Sequence, residues 1–496
     1  MNSLPWQKFN RYVPLAAWMV AIFTVIVIPL KIISFGFLPP DDALRHAAKA
    51  VSGKSWQQIL VMRSDFAIDP SPGWQAILEW LHHLSGCGAE PLVVFSVVVL
   101  MLSVNLIALP WIRRPEAWLA AVFVTAIFIP SFITRIALGR PYIFTQAILV
   151  MLLLLWGREQ NQRPRNLTMG LTVLGIAASA WIHGSWYLWV LPAAAIFFAG
   201  LWRSAFWYAG CWLAGSFLGS ALTGHPWEFL IQAVEHMFGV FGHLVVNRQL
   251  ESEMYPSDGD PLAVIVVAVL LLWRAFSARF NPRALLNPIF IMMILGWVLG
   301  LRLRRFWWDW GTPAFTVWVA LELQDRLEQF LEREGAKRLF ITLGLAASLF
   351  LAFSSDFQGR WTKNLTDEYL SSENPDIKDW LPEPGGILYD ADMSIFFETF
   401  YKNPTASWKY VLGFEPGFMT PENLAVLREI QWNYSDLRTY EPWVKKMRPE
   451  DRLVIRAFRA SGAPDIPELE WNYAATDLWV GRLPRKINAI PSPPQK

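Results

Sequence analysis

The sequence predicts an α-helical polytopic membrane protein with a C-terminal soluble α/β or α+β domain. Three observations predict it. Charged residues make up 17% of the 496-residue chain against 54% hydrophobic ones, whereas soluble chains carry about 25% charge. Apolar stretches near the length of a membrane helix recur up to residue 355 and then stop. From residue 356 onward, prolines and short apolar runs replace them.

A hydrocarbon layer about 30 Å thick needs roughly 20 helical residues, with about 17 to 25 tolerated. That criterion, applied loosely, selects 13–33, 91–111, 117–133, 142–156, 167–183, 186–202, 204–222, 261–276, 287–301, 306–323 and 339–355. The expected number of spans is about eleven, with an uncertainty of about two from the shorter stretches. Val13–Ile33 is too long for the apolar core of a signal peptide and runs into Pro-Pro-Asp-Asp, so it is expected to stay as the first span. Many of the 28 tryptophans fall near expected span ends, among them Trp111, Trp156, Trp202, Trp273, Trp307 and Trp308. Amphipathic rings suit the headgroup layer.

Charge placement orients the spans. With Lys8, Arg11 and the N-terminus in the cytoplasm, alternate turns put Arg113, Arg114, Arg158, Arg163, Arg165, Arg203, Arg274, Arg279, Arg283, Arg326, Arg333, Lys337 and Arg338 on the same side, as the positive-inside rule requires. An odd number of spans then places loop 34–90, loop 223–260 and everything after Ser355 outside. Arg135, Arg140, Arg302, Arg304 and Arg305 break the rule by falling on the outer side. Cations held there against the topological preference point to an anion at the membrane surface.

Residues 1–355 are thus expected to form the membrane domain and 356–496 the soluble one. In the latter, Ile387–Tyr389, Tyr410–Leu412, Leu453–Ile455 and Leu478–Val480 have the pattern of strand cores, and Pro421–Ile430 that of a helix capped by Thr420. The proline-rich end, Pro491–Lys496, is expected to be disordered. The formal net charge is +2 with no basic run, so nucleic acid is not an expected partner. Cys87 and Cys211 are the only cysteines, which argues against a disulfide framework and a thiolate metal site.

The first outer loop carries the chemistry. Pro39-Pro40 ends the first span and Asp41-Asp42 starts a new helix, expected to lie along the surface, on which Asp42, Arg45, His46 and Lys49 share one face. Asp41 as N-cap and Asp42 as a first-turn carboxylate is the plain structural account of the pair. Further on, Asp69-Pro-Ser-Pro-Gly-Trp74 leads into a second amphipathic helix reaching Trp80, His82 and His83. Loop 223–260, from Pro226 to Val246, is expected to hold another surface helix.

In these features the sequence resembles the GT-C superfamily of membrane glycosyltransferases, which use polyprenyl-phosphate-linked sugars. The resemblance rests on the acidic pair after the first span with Arg45, the proline turn from Asp69 to Trp80, multiple short spans, the outer Arg140-Pro141 and a soluble domain at the end. It implies a catalytic or acceptor-orienting carboxylate at Asp42 or Asp41. Transfer from a lipid phosphate requires an acceptor hydroxyl to lose a proton while a phosphate departs, which calls for a carboxylate and guanidinium groups. Arg45, His46, Arg140, His183, Arg302, Arg304 and Arg305 are the candidate substrate-binding residues. His183 sits in Trp181-Ile-His183-Gly-Ser-Trp186 at an outer turn, where helix capping is the competing role. Asp309, in Phe306-Trp307-Trp308-Asp309-Trp310, is expected to pair with Arg304 or Arg305.

No cofactor is required by this chemistry. Asp41, Asp42 and His46 have the donor types for Mg²⁺ or Mn²⁺, while His82, His83, His225, His236 and His243 lack the spacing of a zinc site. The expected partners are membrane lipid, a polyprenyl-phosphate sugar donor and a glycan or lipid acceptor. A lipid or polysaccharide transporter or flippase, a polysaccharide polymerase or ligase, and a non-catalytic scaffold are the competing functions. Transport is disfavoured because ionisable residues gather at one membrane surface, without a visible repeat. The expected location is a bacterial inner membrane with the C-terminal domain periplasmic. In an endoplasmic reticulum membrane, Asn364-Leu-Thr and Asn433-Tyr-Ser would be open to glycosylation.

Overall fold

The computed structural model describes residues 4–64, 68–157, 161–242, 252–276, 285–331 and 335–485. The expectations for Arg158, Arg279, Arg283, Arg333, residues 243–246 and the end at Pro491–Lys496 therefore lie outside the described residues. The chain divides into two compact units, one within residues 1–46, 68–242 and 251–365, the other including 47–67 and 366–496.

The first unit is helical, with a helix at each stretch expected to span: Leu4–Ile33, Ala89–Leu106, Pro115–Phe128, Tyr142–Trp156, Asn166–Ile182, Val190–Phe198, Trp202–Ala221, Pro261–Phe276, Pro288–Gly300, Thr312–Leu331 and Gly335–Ser354. Among the described residues, three stretches, Arg11–Ile33, Ala89–Trp111 and Gly335–Ser354, are long and apolar enough to cross a membrane by length and composition. Large apolar side chains such as Phe23, Phe206 and Phe340 are two-thirds or more exposed, a surface suited to hydrocarbon rather than water.

Two close approaches fix the packing. A Cβ on Gly219 would run into the carbonyl of Ala177, so helices Asn166–Ile182 and Trp202–Ala221 meet backbone to backbone. A Cβ on Gly296 would strike Gly311, which brings helix Pro288–Gly300 against a π-helical turn, Trp307–Gly311. Several polar side chains in the interior are paired, as Thr125 is with Thr316 (2.9 Å) and Trp156 with Thr172 (2.9 Å). Arginines expected on the cytoplasmic side also find buried partners. Glu116, fully buried, lies 3.3 Å from Arg114 and 2.8 Å from Arg338, and Glu322 lies 3.0 Å from Arg326.

Helix geometry differs from expectation in several places, and the expected stretch 117–133 is interrupted between Phe128 and Ser131. The stretch 186–202 begins as a 3-10 turn, Trp186–Trp189, and 306–323 begins with the π-turn. Helix Asp42–Ser52 does not lie on a surface. Arg45, His46 and Lys49 are as buried as Ala43, Ala47 and Ala50. On its polar face Arg45 meets Asp42, His46 meets Gln75 and Lys49 stands over the Trp56 ring.

The second unit is built on a mixed five-stranded sheet: β1 (Ile387–Tyr389), β2 (Lys409–Tyr410), β3 (Arg452–Arg456), β4 (Glu470–Ala475) and β5 (Leu478–Arg482), in the order β2-β1-β3-β5-β4. β1 runs parallel to β2 and β3, and β5 runs antiparallel to β3 and β4. Helix Met393–Lys402 follows β1, with Asp392 accepting from the Ser394 amide. Helix Pro421–Trp432 follows β2, with Thr420 as its cap. This is an α/β arrangement closed by a hairpin. The stretch 47–64 belongs to this unit rather than to the helical one. Leu60 bridges to Tyr410, Met62 bridges to Met419, and the Trp56 ring packs 4.7 Å from that of Phe414.

Candidate functional site

The first helical unit gathers the charged residues of four separate segments at the ends of its apolar helices. Asp41 stands at the start of helix Asp42–Ser52, and its Oδ1 accepts from the Asp42 amide at 2.6 Å. Its Oδ2 accepts from both Nε and Nη2 of Arg140. The Asp41 carboxylate thus meets the first amide of the helix and the Arg140 guanidinium together. Asp42 accepts from Arg45 Nε at 2.6 Å, one helical turn on, and lies 4.0 Å from Arg140.

Arg140 is positioned by the turn between the short helix Ser131–Ile136 and helix Tyr142–Trp156. Gly139 enters that turn at φ 66°, where a side chain would be strained and would press on Ala43 and Val97. From this turn Arg140 also reaches Glu253 on the 3-10 turn Ser252–Met254. Glu253 accepts from Arg135 at 3.2 Å as well. Arg135 in turn donates to Asp309 at 2.6 Å, and Gln146 (3.1 Å) and Arg305 (3.3 Å) complete the shell of that carboxylate. The π-turn carries Asp309 inward to 1% side-chain exposure. An extra residue in a helical turn is a common way to re-aim a side chain at a functional site.

The two neighbouring aspartates are driven apart electrostatically. Burial, opposed by Arg140 and reinforced by the Asp42 charge, pushes the Asp41 carboxyl above its usual range. Burial acts on Asp42 in the same direction, but Arg45 and Arg140 outweigh it and hold that carboxyl well below the usual range. Asp42 is therefore the fixed charge and Asp41 the member of the pair that takes up a proton first. Glu253, despite burial, is held well below the ordinary range by Arg140, Arg135 and Arg305. His46 is fully buried, 3.5 Å from Gln75 Oε1, and burial followed by Arg45 pushes its imidazole well below the ordinary value, so it is neutral.

The candidate residues divide. Asp41, Asp42, Arg45, Arg140 and Arg305 belong to one network, with His46 beside Asp42. His183 lies close by: its ring meets Tyr142 edge-on at 5.0 Å, over which Arg305 also stands, and Nδ1 is 3.0 Å from Ser185 Oγ. Arg304 turns away to Asp258 (3.1 Å), and Arg302 is exposed, with no side-chain partner among the described residues. The pairing expected for Asp309 is made with Arg305, not Arg304. Glu253 went unread in the sequence, although two arginines that break the positive-inside rule called for an anion nearby. The trio Asp41, Asp42 and His46 does not converge on one point, because each aspartate faces a guanidinium. No group of three metal-ligating side chains converges among the described residues.

No family model matches the chain, and no curated protein matches it. Among solved structures, it is similar to ArnT from Cupriavidus metallidurans bound to undecaprenyl phosphate, at 13% identity and TM-score 0.49, over 100% of both chains. It is also similar to the Archaeoglobus fulgidus oligosaccharyltransferase tethered with an acceptor peptide, at 12% identity and TM-score 0.49, over 88% of this chain and 69% of that one. The apo form of that oligosaccharyltransferase gives 13% identity and TM-score 0.48, over 90% of this chain and 69% of the other. Likeness at this level carries no argument about reaction or residues, which rest on the geometry of the site.

Proposed function

We propose that this chain is a membrane glycosyltransferase moving a sugar from a polyprenyl-phosphate-linked donor to an acceptor on the non-cytoplasmic face. The observation that carries this is one charged network at the ends of apolar helices, in which a half-buried aspartate pair meets Arg140 and, through Glu253 and Asp309, is joined to Arg135 and Arg305. A lipid-linked phosphate sugar brings its reacting bond to that level, where its tail stays in hydrocarbon.

In the proposed reaction the acceptor hydroxyl attacks the anomeric carbon. The new carbon–oxygen bond forms as the bond to the phosphate oxygen breaks, and its electron pair leaves with the lipid phosphate. The hydroxyl proton passes to the aspartate pair. Asp42, the fixed charge, orients the acceptor, and Asp41, the more basic member, receives the proton. The guanidinium groups stabilise charge growing on the departing phosphate. The donor sugar is a hexose or pentose and the acceptor a glycan or lipid. A bacterial inner membrane with about eleven spans, the N-terminus cytoplasmic and the sheet domain periplasmic, suits the charge distribution.

The test is sugar release and transfer from a radiolabelled panel of polyprenyl-phosphate sugars by protein in lipid nanodiscs, comparing the parent with Asp41→Asn and Asp42→Asn. Turnover by the parent should fall by about 10²–10⁴-fold when the base is removed. Absence of turnover across the panel, or full activity in both folded variants, would overturn the proposal.

A further inference from the structure

The geometry points to Arg135 and Arg140 as the anion-binding subsite, which the Glu253 carboxylate fills until the phosphate of the donor replaces it. This rests on the glycosyltransferase reading and names where the phosphate sits.

Charge accounting leads to it. Among the described residues the network holds Asp41, Asp42, Glu253 and Asp309 against Arg45, Arg135, Arg140 and Arg305, each arginine touching at least one carboxylate. The set is balanced, so an arriving phosphate competes for arginines already paired with carboxylates. Asp309 is anchored by three donors at 1% exposure, and Asp41 and Asp42 belong to the helix start. Among the described residues, Glu253 stands on a three-residue turn and takes its hydrogen bonds from Arg135 and Arg140 alone. A carboxylate and a phosphate make the same demand on guanidinium groups, two charged oxygens at hydrogen-bond distance.

The subsite also has more donors than Glu253 uses. Arg135 and Arg140 line a small concavity with Tyr142, Gln146, Arg305 and Asp309. Within this group, Arg135 Nε and the Tyr142 hydroxyl are buried without a hydrogen-bond partner among the described residues. A phosphate offers more acceptor oxygens than a carboxylate and can engage such donors, which otherwise carry a desolvation cost. The phosphate would thus compete with Glu253 for the two arginines and add donors that Glu253 leaves unused.

The experiment measures binding of undecaprenyl phosphate, with undecaprenol as the uncharged control, to full-length protein in nanodiscs. Glu253→Gln removes the competing charge while keeping the shape, and should bind undecaprenyl phosphate about tenfold more tightly, a gain of about 1.4 kcal/mol, with undecaprenol unchanged. Arg135→Gln should bind it at least about tenfold more weakly. Should Glu253→Gln fail to fold, Glu253→Asp, whose shorter side chain cannot bridge both arginines, should give a smaller gain in the same direction. Unchanged or weaker phosphate binding in the folded Glu253 variant, or an equal gain for undecaprenol, overturns the inference. The outcomes separate from those of the proposed function. Tighter phosphate binding without any sugar transfer leaves the subsite standing and removes the enzyme, and the reverse pattern removes the subsite alone.

Discussion

Replacing Asp309 by asparagine tests whether the charged network holds the helical unit together. Asp309 accepts from Arg135, Gln146 and Arg305 at 2.6, 3.1 and 3.3 Å. Breaking a buried ion pair by removing one partner costs about 3–5 kcal/mol, because the other charge stays buried and unmatched. Here the loss is softened. Arg305 is 37% exposed and turns to water at little cost, and Arg135 keeps Glu253. A cost of about 2–3 kcal/mol follows, and at about 2–4 °C per kcal/mol the melting temperature should fall by about 4–12 °C. The assay is thermal unfolding in nanodiscs followed by far-ultraviolet circular dichroism. Arg304→Gln is the control, since Arg304 meets an Asp258 that is 87% exposed, and it should shift the midpoint by no more than about 2 °C. Equal shifts in the two variants would refute the distinction between an embedded network and a surface pair.

Two further outcomes are expected. Asp390, at the end of β1, is fully buried and makes no salt bridge among the described residues, and burial with the nearby Asp392 charge pushes its carboxyl well above the usual range. Above about pH 4 the unfolded chain releases this proton while the native sheet unit retains it, so stability falls with rising pH by up to about 1.4 kcal/mol per unit until the native group ionises. Asp390→Asn removes that slope. Its advantage over the parent should be absent near pH 4 and grow by pH 7.5, read by hydrogen exchange at β1, and a difference independent of pH would contradict the burial argument. Gly219→Val should destabilise the helical unit by about 3 kcal/mol or more, because the side chain overlaps the Ala177 carbonyl and the helices must part. An unchanged thermal midpoint would show that this packing has room to relax.

The sequence by itself determined what depends on local composition and short-range order. Runs of apolar residues fixed where helices form, since each of the expected spans coincides with a helix, and β-branched and aromatic clusters marked β1, β3 and β5. β4, Glu470–Ala475, escaped because polar residues interrupt its apolar ones and its pairing to β5 shifts register near Tyr473. Helix Asp42–Ser52 was legible in position but not in environment, because its amphipathic pattern is the same whether the polar face meets water or buried partners. The acidic pair after the first span and the arginines that break the positive-inside rule were visible as chemistry. Tertiary structure alone decided which charges meet. Arg140 finds Asp41 from 99 residues away and Arg135 finds Asp309 from 174, separations at which sequence spacing carries no geometric information. The same folding separated Arg304 from its neighbour Arg305 and drew Glu253 into the network from a loop with no motif. Pairing between buried charges is set by desolvation, and desolvation exists only once helices distant in sequence have packed together.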